Sequence, residues 1–161
     1  MALHLKGSST LAAYPQIFTA SHENILLIPS TNDITSTLNS VITTITTSQN
    51  DGAVPQYRLI WVHNEGPESL TNVQLNIVAQ NMAGATTTLQ FFNDRGLVSS
   101  NPNDTIKASY PGTVVDGWDS YAEIGNLPVG HAAGVWTKTV GNKDIAVSED
   151  FITLQTSSEI A

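Results

Sequence analysis

The chain has 161 residues and no cysteine, so one domain with a single core fits its length, while disulfides, thiolate metal sites and cysteine nucleophiles are all excluded. Charged residues are 12% of the chain, against about 25% in ordinary globular domains, and fourteen acids against six bases leave a net charge of −8. Lys6, Arg58, Arg95, Lys107, Lys138 and Lys143 stand singly, so nucleic acid and anionic membranes lack the basic cluster they require.

The N-terminus, MALHLKGSSTLAAYPQ, has no basic segment followed by a long apolar one, so a signal peptide is not expected and synthesis in a cytoplasm is. No run approaches the ~18 apolar residues of a membrane-spanning helix. Residues 1–24 show no sustained period and are expected to form an arm, ordered by contact with something else. Residues 25–161 are expected to form one β domain. Ile25–Ile28 reads as a strand stopped by Pro29, with a turn over Ser30–Thr35. Thr37–Thr47, TLNSVITTITT, is β-branched almost throughout and favours a strand. A helix starting at Asp33 is the alternative. Gln49–Gln56 is a turn cluster around Asp51-Gly52.

From Tyr57 the pattern sharpens. Tyr57, Leu59, Trp61 and His63 share one face of an extended run, and Arg58, Ile60 and Val62 share the other. Apolar residues on both faces predict a central strand. After a bend over Asn64–Thr71, Val73, Leu75, Ile77 and Ala79 alternate with polar residues, which predicts a half-buried strand. Ala85–Phe92 is a further strand, residues 93–120 a long loop or loop pair, and Tyr121–Ile124 a short strand. Turn residues Gly125–Gly130 precede a strand over Ala133–Val140, and the last strand lies within Ile145–Thr156, centred on 150–154. Strands spaced by roughly 8–12 residues with turn chemistry between them predict an all-β sandwich or barrel.

Three segments occur in order: YRLIWVHNEGPESLTNVQLNI, GNLPVGHAAGVWTKTV and SEDFITL. A strand ending in Asn-x-Gly, answered later by a Leu-Pro-x-Gly turn and a Trp-bearing strand, resembles immunoglobulin-like β-sandwich modules, with a jelly-roll-like variant as the alternative. More narrowly, residues 57–156 resemble small cysteine-free structural proteins of tailed-bacteriophage virions. That resemblance implies a non-enzymatic virion protein with no catalytic, cofactor-binding or metal-binding residues. Its implied role is a capsid decoration or cement protein on the major capsid protein, in a homo-oligomer or symmetric array. An accessory neck, tail or baseplate protein is the first alternative, and a carbohydrate-binding adhesin module the second.

Gly66 and Pro67 suit a sharp reversal, glycine through positive φ and proline through its preset φ. Asn64 and Asn72 can bond nearby backbone groups, and Leu127 is expected to plug the core edge. His4, His22, His63 and His131 are far apart in sequence and show no zinc spacing, so they read as surface or edge residues. No Gly-x-Ser-x-Gly elbow or phosphate loop occurs. The acidic and amide residues of 93–119 (Asn93, Asp94, Asn101, Asn103, Asp104, Asp116 and Asp119) supply hard oxygens without the spacing of a calcium loop. Turn chemistry accounts for them, with calcium as the alternative. Asn103-Asp104-Thr105 matches a glycosylation sequon by coincidence. Trp61 and Trp136 are expected in the core, and Trp118 is the candidate contact. Tyr110 and Tyr121 complete a possible sugar-stacking surface.

Overall fold

A computed structural model describes residues 3–10, 26–34, 54–80, 85–91, 97–99, 106–107, 116–142 and 151–161. Ten strands occur among them: β1 (Leu3–Thr10), β2 (Leu26–Asp33), β3 (Gln56–Asn64), β4 (Leu70–Gln80), β5 (Ala85–Phe91), β6 (Leu97–Ser99), β7 (Ile106–Lys107), β8 (Tyr121–Leu127), β9 (His131–Gly141) and β10 (Ile152–Ile160). No helix occurs among the described residues. The strands form two antiparallel sheets, an all-β arrangement compatible with a β-sandwich. The larger runs β5-β9-β3-β1-β2-β7, with β6 also on β9, and the smaller runs β10-β4-β8.

The period-2 pattern of β3 explains its central place. Ile60 and Val62 point towards the smaller sheet, where they join Val135 and Leu89 against Val73, Leu75, Ile124 and Leu127 in one inter-sheet core. Leu59 and Trp61 point the other way and are also buried, at 1% and 0% exposure. Trp136, opposite Leu59 in the ladder, lies on that second face and is fully buried. The tryptophans are therefore buried as expected, but behind the larger sheet rather than between the sheets. Gly134 makes this layer possible, because a Cβ there would lie 3.1 Å from Leu59 and 3.3 Å from Trp61.

The smaller sheet has one dry face and one wet face. In β4, Val73 and Leu75 are buried while Asn72, Val78 and Ala79 are exposed. The Gln80 side-chain amide donates to the Thr87 carbonyl and accepts from the Thr87 amide, at 3.3 and 3.1 Å, tying the end of β4 to β5.

Several boundaries differ from the sequence reading. The expected arm over 1–24 begins instead with β1, which pairs with β2 on one side and β3 on the other. Leu3 and Leu5 pack on the core, an alternation too short to stand out in the sequence. β2 does not stop at Pro29, nor is there a turn over 30–33: the strand continues to Asp33. The register shifts between Lys6 and Ser8, as it passes from Asp33 to Pro29, and a proline is tolerated at such an irregularity. The loop predicted over 93–120 contains the short strands β6 and β7. β8 reaches Leu127, and β10 extends to Ile160, beyond the predicted end. The strand or helix over 37–47 and most of the turn at 49–56 lie outside the described residues.

Candidate functional site

Among the described residues, the densest group of ionisable side chains gathers where β1 lies between β2 and β3. Register sets it up: His4 is opposite His63, and Lys6 is opposite both Trp61 and Asp33. Because alternate residues share a face, His4, Lys6 and His63 project from the side of the sheet away from the inter-sheet core. Lys6 is almost fully buried, and its Nζ lies 2.7 Å from Glu65 Oε1 and 3.2 Å from Asp33 Oδ1. His4 Nδ1 is 2.7 Å from Asp33 Oδ2, while its Nε2 lies 3.7 Å from Glu65. His63 Nδ1 is 3.2 Å from Glu65 Oε1.

The charges reinforce one another. Desolvation is the largest influence on Lys6 and acts to lower its pKa, but the hydrogen bonds and charges of Glu65 and Asp33 outweigh it and raise the group above its ordinary value. The hydrogen bond from His4, and then that from Lys6, holds Asp33 below the usual carboxylate range. Lys6 does the same for Glu65. An ionised Asp33 only accepts, so His4 Nδ1 bears the donated proton. Burial pushes His63 down, ahead of the opposing pull of Glu65. Lys6 is thus a held cation and not a free base, and the cluster fastens three strands and the following turn. Among the described residues no group of three or more His, Asp or Glu is arranged to hold a metal ion.

A second device adjoins the cluster. Asn64, fully buried at the end of β3, donates through Nδ2 to the carbonyls of Glu68 (2.9 Å) and Leu127 (3.0 Å). Its Oδ1 accepts from the Gly66 amide, and its own carbonyl accepts from the Gly130 amide, each at 3.0 Å. The Asn-x-Gly and Leu-Pro-x-Gly segments, 63 residues apart, are therefore joined through one amide side chain. Gly130 supplies the left-handed conformation (φ 72°) there. Gly66 does not use positive φ as expected; its amide is a donor to the clasp. Asn72 takes positive φ instead (51°) and donates to Glu159 Oε2 at 2.8 Å rather than to nearby backbone.

Sequence reasoning missed the charged cluster because its members are up to 61 residues apart, from His4 to Glu65. The available signal was the alternation of His4 and Lys6 with Leu3 and Leu5, followed by the pair His63 and Glu65. His63, read as a surface or edge residue, is in fact buried. His131 lies after the Pro128–Gly130 turn, with Nδ1 2.9 Å from the Val129 carbonyl oxygen.

Trp118 is half-buried: its ring centroid is 5.8 Å from that of Tyr57, and Lys138 Nζ lies 5.5 Å from it on the ring face. The indole covers the larger sheet rather than offering an open platform. Asp116 and Asp119 serve the same local turn, through the Asp116 carbonyl to Gln90 and the Asp119 carboxylate to Ser120. His22, Tyr110, the sequon at 103–105 and the other oxygen-bearing residues of the 93–119 loop lie outside the described residues.

The wet face of the smaller sheet has a different character. Register places Asn76 between Tyr121 and Gln155, and Gln74 between Glu123 and Ser157. Tyr121 is 46% exposed there and Val78 52%, while Phe151 and Ile160 stand exposed at the two ends of β10.

No family model, curated protein or solved structure matches the chain.

Proposed function

We propose that this protein is a non-enzymatic, immunoglobulin-like β-sandwich that assembles on a larger protein array, and that the array is the virion of a tailed bacteriophage. The observation that supports assembly is the smaller sheet. Its outer face is rich in amides and hydroxyls, with Glu123 and Glu159 as acids, and Tyr121, Val78, Phe151 and Ile160 are exposed on or beside it. Such a surface suits broad contact with a protein neighbour. The virion itself rests on the sequence resemblance over 57–156.

Within a virion, capsid decoration is the favoured role, with the major capsid protein as the partner. A neck, tail or baseplate position is the alternative. Many weak contacts repeated around a symmetric shell give firm attachment by avidity. Truncating residues 1–24 cannot test attachment, because deleting Leu3–Thr10 removes a strand from the middle of the larger sheet. The test is composition: purified virions should contain the protein in many copies. Its presence in the soluble lysate alone would refute the reading.

A carbohydrate-binding role draws its support from Tyr121, which stands exposed beside Asn76 on a sheet face. A glycan-array screen with Tyr121→Ala as control separates the two. Binding lost in the variant would favour the sugar reading, and no binding by the parent chain would remove it.

A further inference from the structure

β10 is the outer strand of the smaller sheet, and among the described residues its ladder runs to β4 alone. Exposed edges of this kind are ordinarily guarded by shortness, by lysine or proline, or by a bulge that twists the edge away. β10 has none of these. It is nine residues long, and Phe151–Ala161 contains neither lysine, arginine nor proline. The β10–β4 ladder has two irregularities, but both extra residues belong to β4. From Thr153 to Leu154 the partner moves from Ala79 to Ile77, and from Ser157 to Glu159 it moves from Gln74 to Thr71. Val78 is the first inserted residue, and Asn72, with its positive φ, marks the second. β10 itself stays regular.

We propose that β10 pairs antiparallel with β10 of a second copy of this chain, joining two three-stranded sheets across a two-fold axis at Thr156. The strand is self-complementary in that register. Gln155 meets Ser157, Thr153 meets Glu159, Leu154 meets Ser158 and Ile152 meets Ile160. Odd-numbered residues meet odd-numbered ones, so the wet face of one sheet continues into that of the other. Glu159 is the one charge in the strand, and no like charge faces it. Ile160, 70% exposed in the single chain, gains the partly buried Ile152 as its neighbour. Main-chain hydrogen bonds supply the attraction and the side-chain pattern fixes the register. The chain's charge of −8 opposes the approach, so the pairing tightens as salt is added.

This deepens the assembly reading by naming one of its contacts. It is measured on the purified protein with no particle present, so its failure leaves the virion-composition test standing. The full chain is followed by sedimentation velocity over a range of concentrations, alongside Gln155→Lys/Ser157→Lys and Gln155→Glu/Ser157→Glu double variants. Both positions are on the wet face, and circular dichroism checks that the variants fold. The parent chain should pass from monomer to dimer as concentration rises. Each double variant alone should dimerise about tenfold more weakly, because like charges then face each other twice across the axis. An equimolar mixture of the two variants should recover a one-to-one dimer. A parent chain that stays monomeric, variants that dimerise like the parent, or a mixture that fails to recover would each overturn the proposal.

Discussion

The two sheets handle burial in opposite ways. In the larger sheet β3 has neighbours on both sides and buried apolar residues on both faces, with Trp61 and Trp136 behind it and Ile60 and Val62 in front. The smaller sheet is dry on one face, wet on the other, and ends in a strand whose outer edge has no partner among the described residues. A chain with few charges can stabilise itself in the first region and keep the second for contact. Stability and recognition then fall on different residues, and substitutions can separate them.

The largest effect is expected at Trp61. Trp61→Ala empties a fully buried site behind the larger sheet and should cost about 3–5 kcal/mol, read as a fall in the denaturant midpoint. Asn64→Ala comes next, because it strands the Leu127 carbonyl and the Gly66 amide in a buried position. A loss of about 2–3 kcal/mol is expected in the same measurement. Lys6→Met keeps the apolar stem but removes the cation between Asp33 and Glu65. Both carboxylates are partly exposed and can rehydrate, so a smaller loss of about 1–2 kcal/mol follows.

The smallest effect is a pH dependence. The folded chain holds His63 below its ordinary value of 6.5, so just below that pH the unfolded chain binds the proton and the folded chain does not. Stability therefore falls as pH drops through this window, by at most about 1.4 kcal/mol per pH unit for one site. His63→Gln should flatten that slope. Asp33 and Glu65 are also held low, so their contribution is present above the ordinary carboxylate range and is lost on further acidification. That second fall should persist in His63→Gln. All four changes lie in or beside the larger sheet and should leave β10 pairing intact wherever the protein still folds.

Strands β3, β4, β5 and β9 were legible because each runs long enough for its period to show, and β3 announced its central place through apolar residues on both faces. The Asn64 and Leu127–Gly130 turns were legible as turns, since their residue types serve local backbone geometry. What joins them was not legible, because a hydrogen bond between residues 63 apart leaves no local trace. The same holds for the charged cluster, in which Lys6 looks like a solitary surface base until register sets it beside Asp33 and Glu65. β1 was hidden because only Leu3 and Leu5 carry its apolar alternation before the small and polar run Gly7–Thr10, and β2 by a proline that a register shift accommodates. Which face of β3 meets the other sheet could not be read at all, since both faces are apolar.

Amide hydrogen exchange at low and high protein concentration tests the contrast between the two sheets most directly. The amides of β3 and β9 should be strongly protected at both concentrations. Those of β10 should gain protection as concentration rises, because the open edge finds its partner only then. Protection of β10 that is unchanged between the two concentrations would contradict the account.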